Sequence, residues 1–152
     1  MCVKKRILGP AKHKLSFCIS ICYKPSVYLC RMLQVSALYV YPIKSLGGIA
    51  VKEALLTERG LQYDRRWMLI DSDNRFLSQR EIARMALFKV AITGNGLSVT
   101  YSPTNSSLQI PFQPLHTQLF EVTVWEDTCL AQRVSAEADT WFSNILGMPC
   151  KL

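Results

Sequence analysis

The stretch LFKVAITGNGLSVTY, residues 87–101, contains two short runs of apolar and β-branched residues separated by Gly94-Asn95-Gly96. Glycine adopts the positive φ angles of tight turns at little steric cost, so this pattern is typical of a β-hairpin. Further along, residues 120–125 alternate strictly between an inward apolar set and an outward set, the period of a strand with one buried face. The sequence therefore predicts antiparallel strands in this half of the chain.

Similar strand-like runs lie on both sides of this hairpin, and turn residues separate them. In chain order they are residues 35–41, 49–57, 67–71, 75–77, 108–112, 120–125 and 128–134. Strands at such short spacing, with few helices between them, are typical of sandwiches and barrels. The sequence therefore predicts a mainly β fold, β-barrel-like, with about nine short strands.

Two short helices are predicted between and after these strands. The segment Ser78-Gln79-Arg80-Glu81 has the spacing of a capping box, which predicts a short helix directly behind it. A second helix is predicted from near Ser135 to Leu146, because its apolar residues recur at helical spacing. Gly147 is expected to end that helix as its C-cap.

The charge of the chain is concentrated at one end. Its 152 residues are enough for one domain, and the formal net charge is +7. Residues 1–31 hold seven Lys and Arg and no Asp or Glu, whereas residues 32–152 hold eleven basic and eleven acidic side chains. A nucleic-acid interface needs its charge on the folded surface, so we predict no nucleic-acid partner.

Residues 1–31 are interpreted as a basic leader, either a mis-called start or a targeting segment, and residues 32–152 as the domain. The apolar patch 15–23 is too short to cross a bilayer, which takes roughly 20 residues, so no membrane span is predicted. The expected location is cytoplasmic, or mitochondrial if the leader is a genuine targeting segment of a eukaryotic protein.

No catalytic residue and no metal ligand are predicted. His116 stands alone in a loop segment, and no P-loop or dinucleotide fingerprint occurs. Cys18, Cys22 and His13 fall short of the four ligands of a structural zinc site.

What remains is a set of cations at turns. YPIKSLGG, residues 41–48, places Lys44 and Ser45 after a strand in a turn shaped by proline and glycine. The segment Asp64-Arg65-Arg66 precedes the apolar run 67–71. Lys44, Ser45 and Arg65 have the chemistry of an anion site, although solvated turn charges remain the alternative.

The chain resembles the MOSC N-terminal β-barrel domain family across residues 32–152. This domain occurs in the mitochondrial amidoxime-reducing component and its bacterial relatives. The resemblance rests on YPIKSLGG (41–48), LTERGLQYDRRWMLID (56–71), FLSQRE (76–81), VTVWEDTCLAQRV (122–134), ADTWFSNILG (138–147) and the terminal PCKL.

The resemblance implies that the molybdenum cofactor (molybdopterin) lies between this domain and a C-terminal MOSC domain. It places Lys44, Ser45 and Arg65 at the pterin-phosphate part of the cofactor, with Asp64 orienting Arg65. Where the family more usually has Pro before Arg, this chain has Ala83-Arg84, so Arg84 is left out of the site.

The metal-binding cysteine of the family belongs to the MOSC domain, which would follow Leu152. We therefore expect a truncated chain that positions the cofactor and is inactive alone. In the complete protein the resemblance implies a molybdenum-cofactor oxidoreductase that reduces N-hydroxylated substrates with electrons from a separate redox protein. The alternative is a stand-alone β-barrel binding module that pairs with a separate MOSC domain.

Overall fold

Short β-strands form most of the domain in the computed structural model, which describes residues 35–115 and 117–152 and, before them, one two-residue strand. The remaining predictions for residues 1–34, and those for His116, lie outside the described residues. The strands are β1 His13–Lys14, β2 Leu38–Val40, β3 Ile49–Val51, β4 Leu55–Thr57, β5 Gly60–Leu61, β6 Phe88–Ile92, β7 Gly96–Tyr101, β8 Ser106–Pro111, β9 Leu119–Val124 and β10 Asp127–Gln132. A 3-10 helix, Ala83–Leu87, precedes β6, and the α-helix α1, Ala136–Leu146, follows β10.

The strands form four small antiparallel sheets rather than one continuous sheet. Their orders are β1-β4-β5, β2-β3, β6-β7-β8 and β9-β10. Isolated bridges connect segments outside these sheets, such as the parallel bridge between Ile43 and Trp67. The prediction of a mainly β fold is confirmed, with nine strands between residues 35 and 152. The ladders of the described residues do not close into a barrel.

The core lies between the β6-β7-β8 sheet and α1. Phe88 from β6 packs against Phe142 from α1 with ring centroids 5.4 Å apart, and both side chains are fully buried. The helix α1 begins after Ser135, as predicted, and the Ser135 hydroxyl caps it by accepting a hydrogen bond from the Ala138 amide. Gly147 is the predicted C-cap and ends the helix at φ 73°.

The short helix predicted behind residues 78–81 forms as a 3-10 helix instead of an α-helix, and the Ser78 side chain does not cap it. The Ser78 hydroxyl accepts a hydrogen bond from the Arg80 amide, which is only two residues away, so it closes a tight turn instead of capping an α-helix. A single turn of 3-10 helix follows at Ala83–Leu87. Arg84 lies in it and donates to the carbonyl of Ile145 at the end of α1.

Three predicted strands also differ from the structure. Residues 67–71 and 75–77 make only isolated bridges, because the Asp71 carboxylate accepts hydrogen bonds from the amides of Asp73 and Arg75 and folds this segment into a turn. Residues 49–57 split into β3 and β4, and the two residues after β3, Lys52 and Glu53, are exposed.

Candidate anion-binding site

Two loops that are far apart in the sequence form one surface. We call residues 41–48 the KS loop and residues 64–67 the DR loop. The Arg65 amide donates to the Tyr41 carbonyl at 2.7 Å, and the Lys44 amide donates to the Trp67 carbonyl at 2.8 Å. These bonds flank the bridge between Ile43 and Trp67. The backbone therefore places Lys44, Ser45 and Arg65 on adjoining segments.

Asp64 joins the two loops through its side chain. One carboxylate oxygen accepts a hydrogen bond from the Tyr41 amide at 2.9 Å, and the other accepts one from Nη1 of Arg65 at 2.7 Å. The Asp64 side chain is 17% exposed and that of Arg65 is 61% exposed. Asp64 therefore holds a guanidinium group that still presents most of its surface to solvent.

Lys44 faces aromatic rings instead of a carboxylate. Its Nζ lies 3.9 Å from the ring centroid of Phe76 and 5.8 Å from that of Trp125. Burial lowers the pKa of Lys44 below its ordinary value, and the positive charge of Arg65 lowers it further. Within the described residues no salt bridge involves Lys44. An anion placed between Lys44 and Arg65 would relieve this repulsion.

The backbone of the site is strained at two of its three predicted residues. Ser45 has φ 65° and Arg65 has φ 49°, in the left-handed region that residues other than glycine rarely adopt. Each such residue costs of order 1–3 kcal/mol and persists only where the surrounding structure enforces it. Such positions occur at ligand sites and also at turns, as the positive φ of Asn74 and Asn105 shows, so this strain supports the site only together with its charges.

The paired glycines of the KS loop are required by close packing. A Cβ on Gly47 would lie 2.7 Å from the carbonyl oxygen of Phe88, and one on Gly48 would lie 2.5 Å from the Tyr41 ring. Because Gly47 has no side chain, the loop packs directly against the β6 backbone at Phe88. Because Gly48 has none, the Tyr41 ring fits beside it, and the centroid of that ring is 5.8 Å from the guanidinium carbon of Arg65.

The sequence did not indicate three further residues beside the site. Trp125 lies in the turn between β9 and β10, is 59% exposed, and has the guanidinium carbon of Arg80 5.9 Å from its ring centroid. Phe76 packs against Trp125 edge to face at 5.7 Å. Together with the contacts of Lys44, these join the KS loop, residues 76–80 and the β9–β10 turn, and no local pattern in the sequence indicates them.

The described residues offer no metal centre. No group of His, Cys, Asp and Glu among them could hold an ion. Cys150 is a buried thiol whose pKa is raised, chiefly by burial, and Cys129 is disulfide-bonded. This part of the chain also contains no helix long and apolar enough to span a membrane.

A second basic surface lies elsewhere, around a cleft lined by Arg133, Lys151 and Asn74. Arg133 pairs with Asp139 there, as Arg65 pairs with Asp64, and Nζ of Lys151 donates to the neutral Asn74 side chain at 3.3 Å. This cleft is therefore the alternative anion site against which the KS and DR loops are tested.

Comparison with known proteins agrees with the fold. The family model described as the MOSC N-terminal beta barrel domain matches residues 32–149. The chain belongs to this family. A solution structure of a protein from Bordetella bronchiseptica has the same fold, with a TM-score of 0.57, 22% identity, and coverage of 78% of this chain and 87% of that one.

Curated relatives of this MOSC N-terminal domain are much longer proteins. The chain is 32% identical over 123 residues to a molybdenum cofactor sulfurase of Oryza sativa subsp. japonica, and the match covers 79% of this chain and 15% of the relative. It is 30% identical over 117 residues to the human mitochondrial amidoxime reducing component 2, a match that covers 74% of this chain and 35% of the relative. The chain thus spans about a third or less of these two proteins.

Proposed function

We propose that this MOSC N-terminal domain positions the molybdenum cofactor by its phosphate, through Lys44, Ser45 and Arg65. The observation that carries the proposal is that hydrogen bonds between the KS and DR loops place Lys44, which has no carboxylate partner among the described residues, on the segment adjoining Arg65. A phosphate supplies the missing negative charge and accepts hydrogen bonds from an ammonium, a guanidinium and a hydroxyl group.

The residues present fit one end of the cofactor. The donor set of the KS and DR loops suits a phosphate, because Lys presents a point charge and Arg a planar fork. The Ser45 hydroxyl makes no hydrogen bond to a described residue, so it is available as an additional donor. Among the described residues Cys129 is disulfide-bonded and Cys150 is buried, so we assign the metal to a partner domain that supplies the cysteine thiolate.

Each site residue has a separate task in this proposal. Arg65, held by Asp64, binds the phosphate from one side, and Lys44 binds it from the other. Ser45 donates a hydrogen bond to a phosphate oxygen and keeps its proton. The rigid backbone pairing of the two loops fixes the distance between these groups before the ligand arrives, which reduces the entropy lost on binding.

The partner in this proposal is a MOSC domain, in the same chain or in another, that supplies the metal-binding cysteine. When bound, the cofactor supplies the metal centre at which N-hydroxylated substrates are reduced with electrons from a separate redox protein. The relatives include both a molybdenum cofactor sulfurase and a mitochondrial amidoxime reducing component. Positioning the cofactor is a role that this domain could have in either kind of protein, so we assign that role to this chain. We assign the reduction of substrate to the complete oxidoreductase.

Equilibrium dialysis tests the proposal. The full chain is dialysed against molybdenum cofactor freshly released from a purified molybdoenzyme, and bound pterin is measured by fluorescence after oxidation. We expect weak retention by the chain alone and much stronger retention when a separate MOSC domain is added, because the second wall of the site then excludes water. Pterin that distributes equally across the membrane in both cases contradicts the proposal.

A further inference from the structure

The turn between β9 and β10 carries an unusual residue for its place. Trp125 is the first of the two residues that separate β9 from β10, and its φ is 59°. Hairpin turns that need a positive φ favour Gly, Asn or Asp, and a bulky side chain there is a genuine outlier. Because the indole is 59% exposed, the free energy gained by its burial offsets little of the cost of this backbone conformation. Stability alone therefore does not explain this tryptophan.

The indole is held in place by Phe76 and lies near two cations. Phe76, which is only 9% exposed, contacts it edge to face with an interplanar angle of 70°. Lys44 and Arg80 lie 5.8 Å and 5.9 Å from its ring centroid. Such a ring is a preformed stacking surface, and the nearby cations favour a partner that carries negative charge.

This aromatic surface adjoins the candidate anion site through Lys44. The Lys44 ammonium group belongs to both surfaces. It lies beside the Phe76 and Trp125 rings, and the positive charge of Arg65 is close enough to lower the pKa of Lys44. A ligand whose phosphate contacts Lys44 has its remaining atoms within reach of the indole. The two features therefore belong to one binding surface with an anionic end and an aromatic end.

We propose that Trp125 is a stacking platform for the flat heteroaromatic part of a phosphate-bearing ligand, with Arg80 holding the ligand's outer polar edge. This inference rests on the proposed function, since the phosphate anchored by Lys44 and Arg65 determines where the ring lies. It assigns a specificity role to the β9–β10 turn: the KS and DR loops bind the phosphate, and Trp125 selects ligands that carry a planar ring.

Calorimetry with two probes tests the inference on the full chain. Guanosine monophosphate carries a fused heteroaromatic ring on its sugar phosphate, and ribose phosphate carries the same group without the ring. We expect guanosine monophosphate to bind about tenfold more tightly, the magnitude typical of one base stacked on an aromatic side chain. In Trp125→Gly this preference should vanish, while the affinity for ribose phosphate stays within about twofold.

Two further variants keep the test sharp. Trp125→Asn, another residue tolerated at positive φ, should behave like Trp125→Gly, and urea unfolding should show that both variants keep the fold. Tyr39→Leu removes a different aromatic ring, one that is 50% exposed on β2, and should leave both affinities unchanged.

The outcomes separate this inference from the proposed function. Equal affinity of the wild-type chain for the two probes, or a ring preference that survives in Trp125→Gly, overturns the stacking role and leaves the phosphate site standing. An equal loss of both affinities in Trp125→Gly also overturns it, because Trp125 would then act only by holding Lys44. If neither probe binds the wild-type chain, the phosphate site and the stacking platform both fail.

Discussion

Replacing Lys44 and Arg65 together by alanine is expected to lower the affinity of the chain for ribose phosphate about hundredfold. Each substitution removes a charge-assisted hydrogen bond, and such bonds are roughly twice as strong as neutral ones. The effect should exceed that of either single change, because the remaining cation still attracts the anion. Isothermal titration calorimetry gives the affinities, and circular dichroism checks that the folded β structure persists.

The control must remove the same charge without touching the site. Lys52→Ala combined with Lys89→Ala does so, since both side chains are exposed and neither lies in the KS or DR loop. Residues 1–31 contribute seven cations to nonspecific attraction, which salt screens, so the titrations are repeated at higher ionic strength. Equal losses in the site variant and the control variant would show that net charge alone binds the phosphate.

Asp139→Ala is expected to lower the free energy of unfolding by about 2–3 kcal/mol, the largest stability effect that we predict. Asp139 is only 6% exposed, accepts a hydrogen bond from the Leu152 amide at 2.9 Å, and pairs with Arg133. The substitution leaves the buried Leu152 amide without an acceptor. Arg133 is 41% exposed and regains solvent, so it adds little to the cost.

Urea unfolding followed by circular dichroism measures this loss. Glu137→Ala is the matched control on the same helix, because Glu137 is exposed and its removal affects only the charge at the helix N-terminus, an effect of about 0.5 kcal/mol. Asp139→Asn should fall between the two, since the amide oxygen still accepts from Leu152. If Asp139→Ala lowers the free energy of unfolding no more than Glu137→Ala does, the hydrogen bond from the Leu152 amide to Asp139 does not stabilise the fold as proposed.

Elements encoded by local signals could be predicted from the sequence. The hairpin around residues 94–96 forms as β6 and β7, with Ile92 paired to Leu97 across the turn. Its glycines do not adopt the positive φ angles expected of them, and Gly96 is needed instead because a Cβ there would collide with the carbonyl oxygen of Ile110. The helix α1 begins after Ser135 and ends at Gly147, as its caps indicate. The apolar runs of the hairpin and the caps of the helix each lie within a few positions of one another in the sequence. Local patterns therefore sufficed to predict both elements.

Elements that depend on distant partners could not be predicted in the same way. The backbone of Ile70 bridges both Phe76 and Lys151, and its partners are unrelated in sequence spacing. The segment after Ser78 follows a helix pattern, yet the hydroxyl is used in a two-residue turn. In these places a nearby hydrogen bond or a long-range bridge outweighs the intrinsic preference.

The candidate site shows the same division. Turn chemistry alone grouped Lys44, Ser45 and Arg65 as a possible anion site, and the family resemblance added the expectation that the anion is the phosphate of the cofactor. Their proximity depends on the hydrogen bonds between the KS and DR loops, which link Tyr41 to Asp64, 23 residues away. The positive φ angles of Ser45 and Arg65 could not be predicted from the sequence, because neither residue type indicates a left-handed conformation.

The most direct measurement is a nuclear magnetic resonance titration of the isotope-labelled full chain with ribose phosphate. Backbone amide shifts report where the anion binds, independently of any enzymatic activity. We predict the largest shifts at residues 44–46 and 64–66, with smaller changes beside Trp125. Shifts centred on the cleft of Arg133 and Lys151, or confined to residues 1–31, would contradict the assignment of the phosphate site to the KS and DR loops.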